Sequence, residues 1–277
     1  MIRFLAAALY TSVSALALSP AAIAQTEIAV VNQSGQVWRH PVTETTVGAG
    51  VKLTGSPIVG PNDEFVSGEI NQIDVINKAG ELWVHGATPE SVLPGHHVPG
   101  SLFGAPDARF VLRDVRNNAV YVVNNKGEVW AHQLSLAEGV SVGYRLKGPS
   151  LFGGADDKYA LLDSRFNRIL VINKQGQVWA HDLSCSIPPV PPSASCTIDT
   201  VGAGYKLDGP TLFGGPDDKY VALANDLLMV VNTEGEVWAR TIAHSTVGTG
   251  HKLSGPGLFG GKDDRFVMVL DLNPIPQ

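Results

Sequence analysis

The chain predicts an all-β fold, a five-bladed β-propeller built from four-stranded antiparallel blades. Three observations carry that expectation: one phrase recurs five times, each unit divides into four short strand-like runs, and the two chain ends hold complementary fractions of one unit. The phrase reads VNQSGQVWRH from Val31, INKAGELWVH from Ile76, VNNKGEVWAH from Val123, INKQGQVWAH from Ile172 and VNTEGEVWAR from Val231. All five Trp of the protein lie in it, at Trp38, Trp83, Trp130, Trp179 and Trp238. A second phrase follows each copy, fullest as VGAGYKLDGPTLFGGPDDKYVAL from Val201 to Leu223. Repetition at about 45 residues is the mark of a propeller or solenoid and takes precedence over any local assignment.

Within the unit around Trp238, KYVALA, LLMVVN, EVWARTI and GHKLSGP are predicted as four strands, because β-branched and apolar residues run between Gly, Asn, Asp and Pro boundaries. The link NTEG has Asn first and Gly fourth, the pattern of a type I turn followed by a residue at positive φ, and so reads as a hairpin. No segment shows a helical period of useful length. Closure follows from the ends: the first unit starts mid-blade at IAVVNQSG, and the chain finishes with KDDRFVMVLDL, a copy of the strand that unit lacks. The strand from Arg265 to Asp271 is therefore predicted to complete the blade begun at Ile28. An open solenoid would need capping units, and two packed β-sandwiches would divide five near-equal units unevenly.

Successive Trp residues are 45, 47, 49 and 59 positions apart, and Phe103, Phe152, Phe213 and Phe259 of the second phrase are 49, 61 and 46 apart. Both rulers lengthen between the same two copies, which places an insert at residues 182–200, a Pro- and Ser-rich stretch expected to be a surface loop. Both cysteines, Cys185 and Cys196, lie in it. Residues 1–24 combine an Arg, an apolar run and a terminal Ala-Ile-Ala, which reads as a secretory signal peptide cleaved after Ala24, leaving 25–277 as a single propeller domain. A secreted or periplasmic location would let Cys185 and Cys196 form a disulfide across the insert. A metal centre at His181 and Cys185 lacks a fourth ligand nearby.

A formal net charge of -6 without any Lys or Arg cluster argues against nucleic acid, whose phosphates supply most of the affinity in such complexes. No later segment is apolar enough to span a membrane. A monomer without cofactor or metal is expected.

Asn173, Gly176 and Ala180, then Val201-Gly202-Ala203-Gly204, then Asp217 to Val221, with similar sets in the other units, resemble the tachylectin-2-like five-bladed propellers. The likeness extends over the mature chain in repeat number, repeat length and strand-swapped closure. LFGG stands where that family has a Gly-Trp pair, and the Trp-x-His is an addition. The resemblance implies a lectin with one N-acetyl-sugar site per blade. The Asp box of sialidases does not fit, since its Asp position holds Gln33, Lys78, Asn125, Lys174 and Thr233. The alternating oxygen ligands of a calcium loop are absent too, GGPDDKY having only adjacent carboxylates.

Catalysis needs acid and base groups in unlike environments, whereas the prominent polar residues here recur from unit to unit, as repeated binding sites or structure would. The candidate carbohydrate-binding residues are the acids Asp63, Asp107, Asp157, Asp218 and Asp264 together with the five Trp. The acids could accept sugar hydroxyls; the simpler reading has them bond loop N–H groups or the following Lys158, Lys219 and Arg265. In a strand, residues two apart share a face, so Trp38, Trp83, Trp130 and Trp179 lie beside His40, His85, His132 and His181. Such a pair could be a sugar platform, and the simpler reading makes the Trp an inter-blade wedge. His96, His97, His244 and His251 read as solvated loop histidines. The last unit has Arg240 in place of the His, which suits a backbone partner better than a ligand. Carbohydrate binding is thus the first reading, ahead of a protein or envelope-surface interaction module. A glycoside hydrolase is third, and for it Glu69, Asp114, Asp163, Asp226 and Asp271 would have to meet on the axis.

Overall fold

The computed structural model describes residues 26–69, 71–102, 107–135, 138–151, 156–185, 197–212, 218–224, 226–258 and 264–270. The expected signal peptide, Cys196 and most of the insert lie outside them. Strands are numbered in chain order. Blade 1 contains β22 (Asp264–Leu270), β1 (Thr26–Asn32), β2 (Val37–Val42) and β3 (Val51–Lys52). Blade 2 contains β4 (Asp63–Glu69), β5 (Gln72–Asn77), β6 (Leu82–Gly86) and β7 (His96–Val98). Blade 3 runs β8 (Ala108–Asp114), β9 (Ala119–Asn124) and β10 (Val129–Ser135), with an outer edge in two pieces, β11 (Gly139–Val140) and β12 (Tyr144–Arg145). Blade 4 repeats this with β13 (Asp157–Asp163), β14 (Arg168–Asn173), β15 (Val178–Ser184), β16 (Thr200–Val201) and β17 (Tyr205–Lys206). Blade 5 contains β18 (Asp218–Ala224), β19 (Leu227–Asn232), β20 (Val237–Thr241) and β21 (His251–Lys252). All pairings within the blades are antiparallel, and the first strands β22, β4, β8, β13 and β18 touch one another in a closed ring. This is a five-bladed propeller.

The second strand of each blade shows why the ring must close. β9 is buried along its whole length, and β1 and β14 are buried at all but their end residues. A strand apolar on both faces needs a cover on both, and only a neighbouring blade on each side supplies it. The five apolar clusters of the core accordingly each draw on two adjacent blades, including blades 5 and 1, where Met229 and Val231 meet Ile28 and Val30. The C-terminal strand β22 pairs with β1 from Glu27↔Leu270 to Asn32↔Asp264, so the ends of the chain share a blade as the sequence predicts.

Two belts of hydrogen bonds tie blade to blade. In the outer belt a valine N–H donates to a carbonyl of the preceding blade: Val92 to Thr54 at 2.8 Å, Val140 to Pro99 at 2.7 Å, Val201 to Lys147 at 2.8 Å, Val247 to Asp208 at 2.7 Å and Val47 to Ser254 at 2.8 Å. The glycine that follows each joint, such as Gly209, holds φ at +129°, and a Cβ there would meet the carbonyl of Val247. Only glycine combines that dihedral with that approach. In the inner belt a cation near the start of one first strand donates to a backbone carbonyl of the next. Lys158 reaches Asp218 O at 2.6 Å, Lys219 reaches Asp264 O at 3.2 Å, and Arg109 and Arg265 reach Asp157 O and Asp63 O. The basic residues that follow the paired acids thus bridge to the next blade's backbone.

The predicted hairpins form. In each, the Asn Oδ1 accepts the N–H four residues on, as Asn173 does from Gln177 at 2.9 Å, and Gly176 takes φ of +74°. The insert is shorter than expected, because Asp182 to Ser184 continue β15 and Thr200 opens β16. The ladder absorbs those residues, which confines the insertion to 185–199.

Gly209→Ala should destabilise the fold by about 2–4 kcal/mol, strained φ and carbonyl clash together. Gly202→Ala, whose Cβ would meet nothing nearer than Asp182 O at 3.3 Å, should cost much less; urea denaturation of both compares them. Ending the chain at Lys262 removes β22 and exposes the β1 edge, and size-exclusion chromatography should then show more association than the full chain does.

Candidate functional site

Each groove between neighbouring blades holds the same side chains, set by the third strand of the later blade. The histidines of the Trp-x-His motif point inwards. His40, His85, His132 and His181 are buried, and each Nδ1–H donates to a carbonyl: Gly48 at 3.2 Å, Leu93 at 3.2 Å, Ser141 at 3.1 Å and Gly202 at 3.1 Å. That acceptor fixes the neutral tautomer with its proton on Nδ1. Behind each ring lies a glycine of the second phrase, so that a Cβ on Gly50 or Gly204 would stand 2.6 or 2.5 Å from the imidazole of His40 or His181. The G-x-G pattern is therefore the seat of the histidine. In blade 5 Arg240 does the same work, its guanidinium donating to Gly248 O and to Leu212 O at 3.4 Å each.

The tryptophans point the other way in burial. Trp83, Trp130, Trp179 and Trp238 are 37–40% exposed and Trp38 is half-buried. The rings are thus neither fully buried between the blades nor fully exposed. Opposite each Trp on the outermost strand stands a basic residue: Lys52 for Trp38, His97 for Trp83, Arg145 for Trp130, Lys206 for Trp179 and Lys252 for Trp238. His96, His97 and His251 accordingly lie on outer strands β7 and β21 rather than in loops. The ring of His97 sits 5.3 Å from that of Trp83.

The acids divide. Asp63, Asp157, Asp218 and Asp264 are equivalent, each opposite the turn Asn of its blade: Asn77, Asn173, Asn232 and Asn32. Asp107 is not, because Ala108 holds that register opposite Asn124. Asp107 corresponds instead to Asn62 and Asp156, and its carbonyl accepts Asn125 N–H as theirs accept Lys78 and Lys174. Asp63 bonds its own loop, accepting Gly60 N–H at 2.5 Å. In blade 4 a cleft of about 380 Å³ brings the remaining candidates together, Asp156 and Asp157 with Asn173, Gln177, Trp179 and His181.

The carboxylates considered for hydrolysis are engaged elsewhere. Asp163 is buried between Arg165 at 3.1 Å and the fully buried Arg168 at 2.9 Å. Asp114 accepts from Asn117 at 2.8 Å and from Tyr121 at 3.3 Å. Asp226 lies in the turn before β19 rather than on a first strand, and Asp271 and the Glu69 side chain fall outside the described residues. Among the described residues no group of three His, Cys, Asp or Glu is placed to hold a metal, and no cysteine is free, while Cys196 lies outside them.

Sequence reasoning missed one set of partners. The residue after the turn glycine is Gln36, Glu81, Glu128, Gln177 or Glu236, and in each blade the turn Asn Nδ2 donates to its side chain, at 2.7–3.2 Å. The signal was visible as G-E/Q before each V/L-W.

No protein-family model and no curated protein sequence matches the chain. Among solved structures it is similar to apo AztD from Citrobacter koseri, at 9% identity and a TM-score of 0.39 over 88% of this chain and 62% of that one. It is also similar to human WBSCR16, at 12% identity and 0.38 over 84% and 66%, and to yeast RCC1 (Prp20) in its complex with Kap60, at 11% and 0.37 over 84% and 60%. The chain thus spans about three fifths of the length of AztD. The fold assignment rests on the five sheets themselves.

Burial lowers the pKa of His40, His85, His132 and His181 from the ordinary 6.5. The unfolded chain therefore takes up protons first as pH falls. The stability these neutral rings supply is complete above about 6.5 and is lost as pH drops towards the folded-state values. Urea midpoints should fall between pH 7.5 and pH 5.5. His181→Arg, which copies Arg240, should fold and show a smaller fall.

Proposed function

We propose that this protein is a multivalent carbohydrate-binding propeller with one similar site in each inter-blade groove. The observation that carries the reading is the tryptophan repeated at one position of every blade, more than a third exposed in four of the five, and in blade 4 lining a cleft with Asp157 and His181. An indole face stacks on the apolar face of a pyranose, and carboxylate and amide groups beside it bond ring hydroxyls. The histidine holds the groove from behind and is not itself offered to the ligand. The resemblance of the repeat to tachylectin-2-like propellers supports the same reading. So does the engagement of Asp163 and Asp114 in local ion pairs and hydrogen bonds, which disfavours a hydrolase and leaves binding without catalysis.

The remaining expectations belong to this proposal: a signal peptide removed after Ala24, a secreted or periplasmic monomer, and a disulfide between Cys185 and Cys196 closing the insert. Several weak sites on one rigid ring act through avidity, so a glycan-coated surface should hold the protein far better than a free monosaccharide.

A glycan array probed with the mature protein tests the reading. Binding to a defined sugar class should drop at least tenfold in a Trp130→Ala, Trp179→Ala, Trp238→Ala triple variant, whose open side chains leave the core intact, as circular dichroism would verify. No binding across the array would move the assignment to a protein or envelope-surface interaction module.

A further inference from the structure

The five grooves are alike in their tryptophan and differ in charge. In blade 3 Asn124 Nδ2 holds Glu128 Oε2 at 2.9 Å, and the other oxygen, Oε1, pairs with Arg145 at 2.9 Å. Blade 5 repeats this, with Asn232 on Glu236 Oε2 at 3.0 Å and Oε1 on Lys252. In both grooves the cation beside the indole is therefore neutralised. Blades 1 and 4 carry glutamine instead. Asn32 Nδ2 holds Gln36 Oε1 at 3.2 Å and Asn173 Nδ2 holds Gln177 Oε1 at 2.9 Å. The amide orientations follow from the turn, because Asn32 Oδ1 accepts Gln36 N–H and Asn173 Oδ1 accepts the N–H groups of Gln175 and Gln177, which leaves each Nδ2 to face the glutamine.

The glutamine Nε2 then takes the place that Oε1 has in blades 3 and 5, next to the outer-strand cation. Lys52 and Lys206 are exposed and stand directly opposite Trp38 and Trp179 in the ladder, hence on the same face. These two grooves thus offer a glutamine amide donor and a lysine ammonium donor without the ion-paired glutamate of blades 3 and 5. Two such donors are matched by an anionic oxygen pair. The blade 4 cleft also holds Asp157, which stands opposite Asn173 in the ladder, and Asp156, which is paired with Lys174 at 3.4 Å.

We propose that the grooves of blades 1 and 4 select acidic sugars, with the carboxylate or sulfate of the sugar between Gln Nε2 and Lys Nζ beside the tryptophan, whereas blades 3 and 5 take neutral ones. This rests on the carbohydrate-binding reading above and adds the charge class to it. The ring hydroxyls donate to the aspartates of the cleft.

The test measures binding of the mature protein to immobilised polygalacturonate, hyaluronate and dextran sulfate, each against its carboxyl-esterified or unsulfated parent at one ionic strength. At least one acidic polymer should bind tenfold or more tighter than its neutral parent, and the uronate and sulfate arms tell the two anionic groups apart. Gln36→Glu with Gln177→Glu installs the pattern native to blades 3 and 5, so it should fold, as circular dichroism would verify, and it should abolish the acidic preference. Glu128→Gln with Glu236→Gln should strengthen binding to the acidic polymer. A wild-type protein without acidic preference, or a preference that survives the Gln→Glu exchange, overturns the proposal while tryptophan-dependent glycan binding would still stand. If no glycan binds at all, both readings fall.

Discussion

The need of each blade for a neighbour on both faces is the constraint on which everything else depends. The middle strands are apolar on either side, so a single blade would leave one of two greasy surfaces in water. Five wedge-shaped contacts solve this only if the last blade also meets the first, and the sharing of blade 1 between β22 and β1 makes that contact a ladder of main-chain hydrogen bonds. The belts then fix the spacing between blades. The outer belt uses backbone alone, which is why a glycine at positive φ recurs beside it, and the inner belt uses side chains. The inner belt has an exception, since β4 carries Glu64 where the other first strands carry Arg109, Lys158, Lys219 and Arg265.

The same geometry decides what the grooves can offer. The imidazole of His181 is buried on the third strand, where it fits because Gly204 presents only backbone to it. Two residues earlier on the same strand face, Trp179 is left more than a third exposed. The pair is consequently divided in role, one side chain joining the blades and the other facing solvent. Arg240 illustrates how the joining role tolerates exchange: a longer side chain reaches the equivalent carbonyl of its own blade and the leucine carbonyl of the preceding link. A ligand-binding residue would not be expected to allow that change so readily.

Much of the fold was legible in the chain. The N-x-x-G hairpins, the four-strand unit and the end-to-end closure follow from local turn chemistry and from repetition, and all three appear in the structure. The exposure of the tryptophans was not legible, for a definable reason. Alternation shows that Trp179 and His181 share a face, but it carries no information on how far the neighbouring blade has diverged at each position. Asp107 was grouped with Asp157 because both precede similar strands, and the pairing of Ala108 with Asn124 shows the offset of one residue. The Asn-anchored Gln and Glu side chains were also overlooked, although their positions repeat, because the partner cation lies on a strand about 16 residues away that only the ladder brings alongside.

What the sequence by itself determined is the architecture: unit, number of units and the rule of closure are all consequences of residue pattern along the chain. What only the tertiary structure decided is the chemistry of the grooves. How far a ring is exposed, and whether a cation beside it is neutralised, depends on side chains that meet across strands and across blades. Their distances are set by how far from the axis two sheets stand apart, a quantity no single repeat contains.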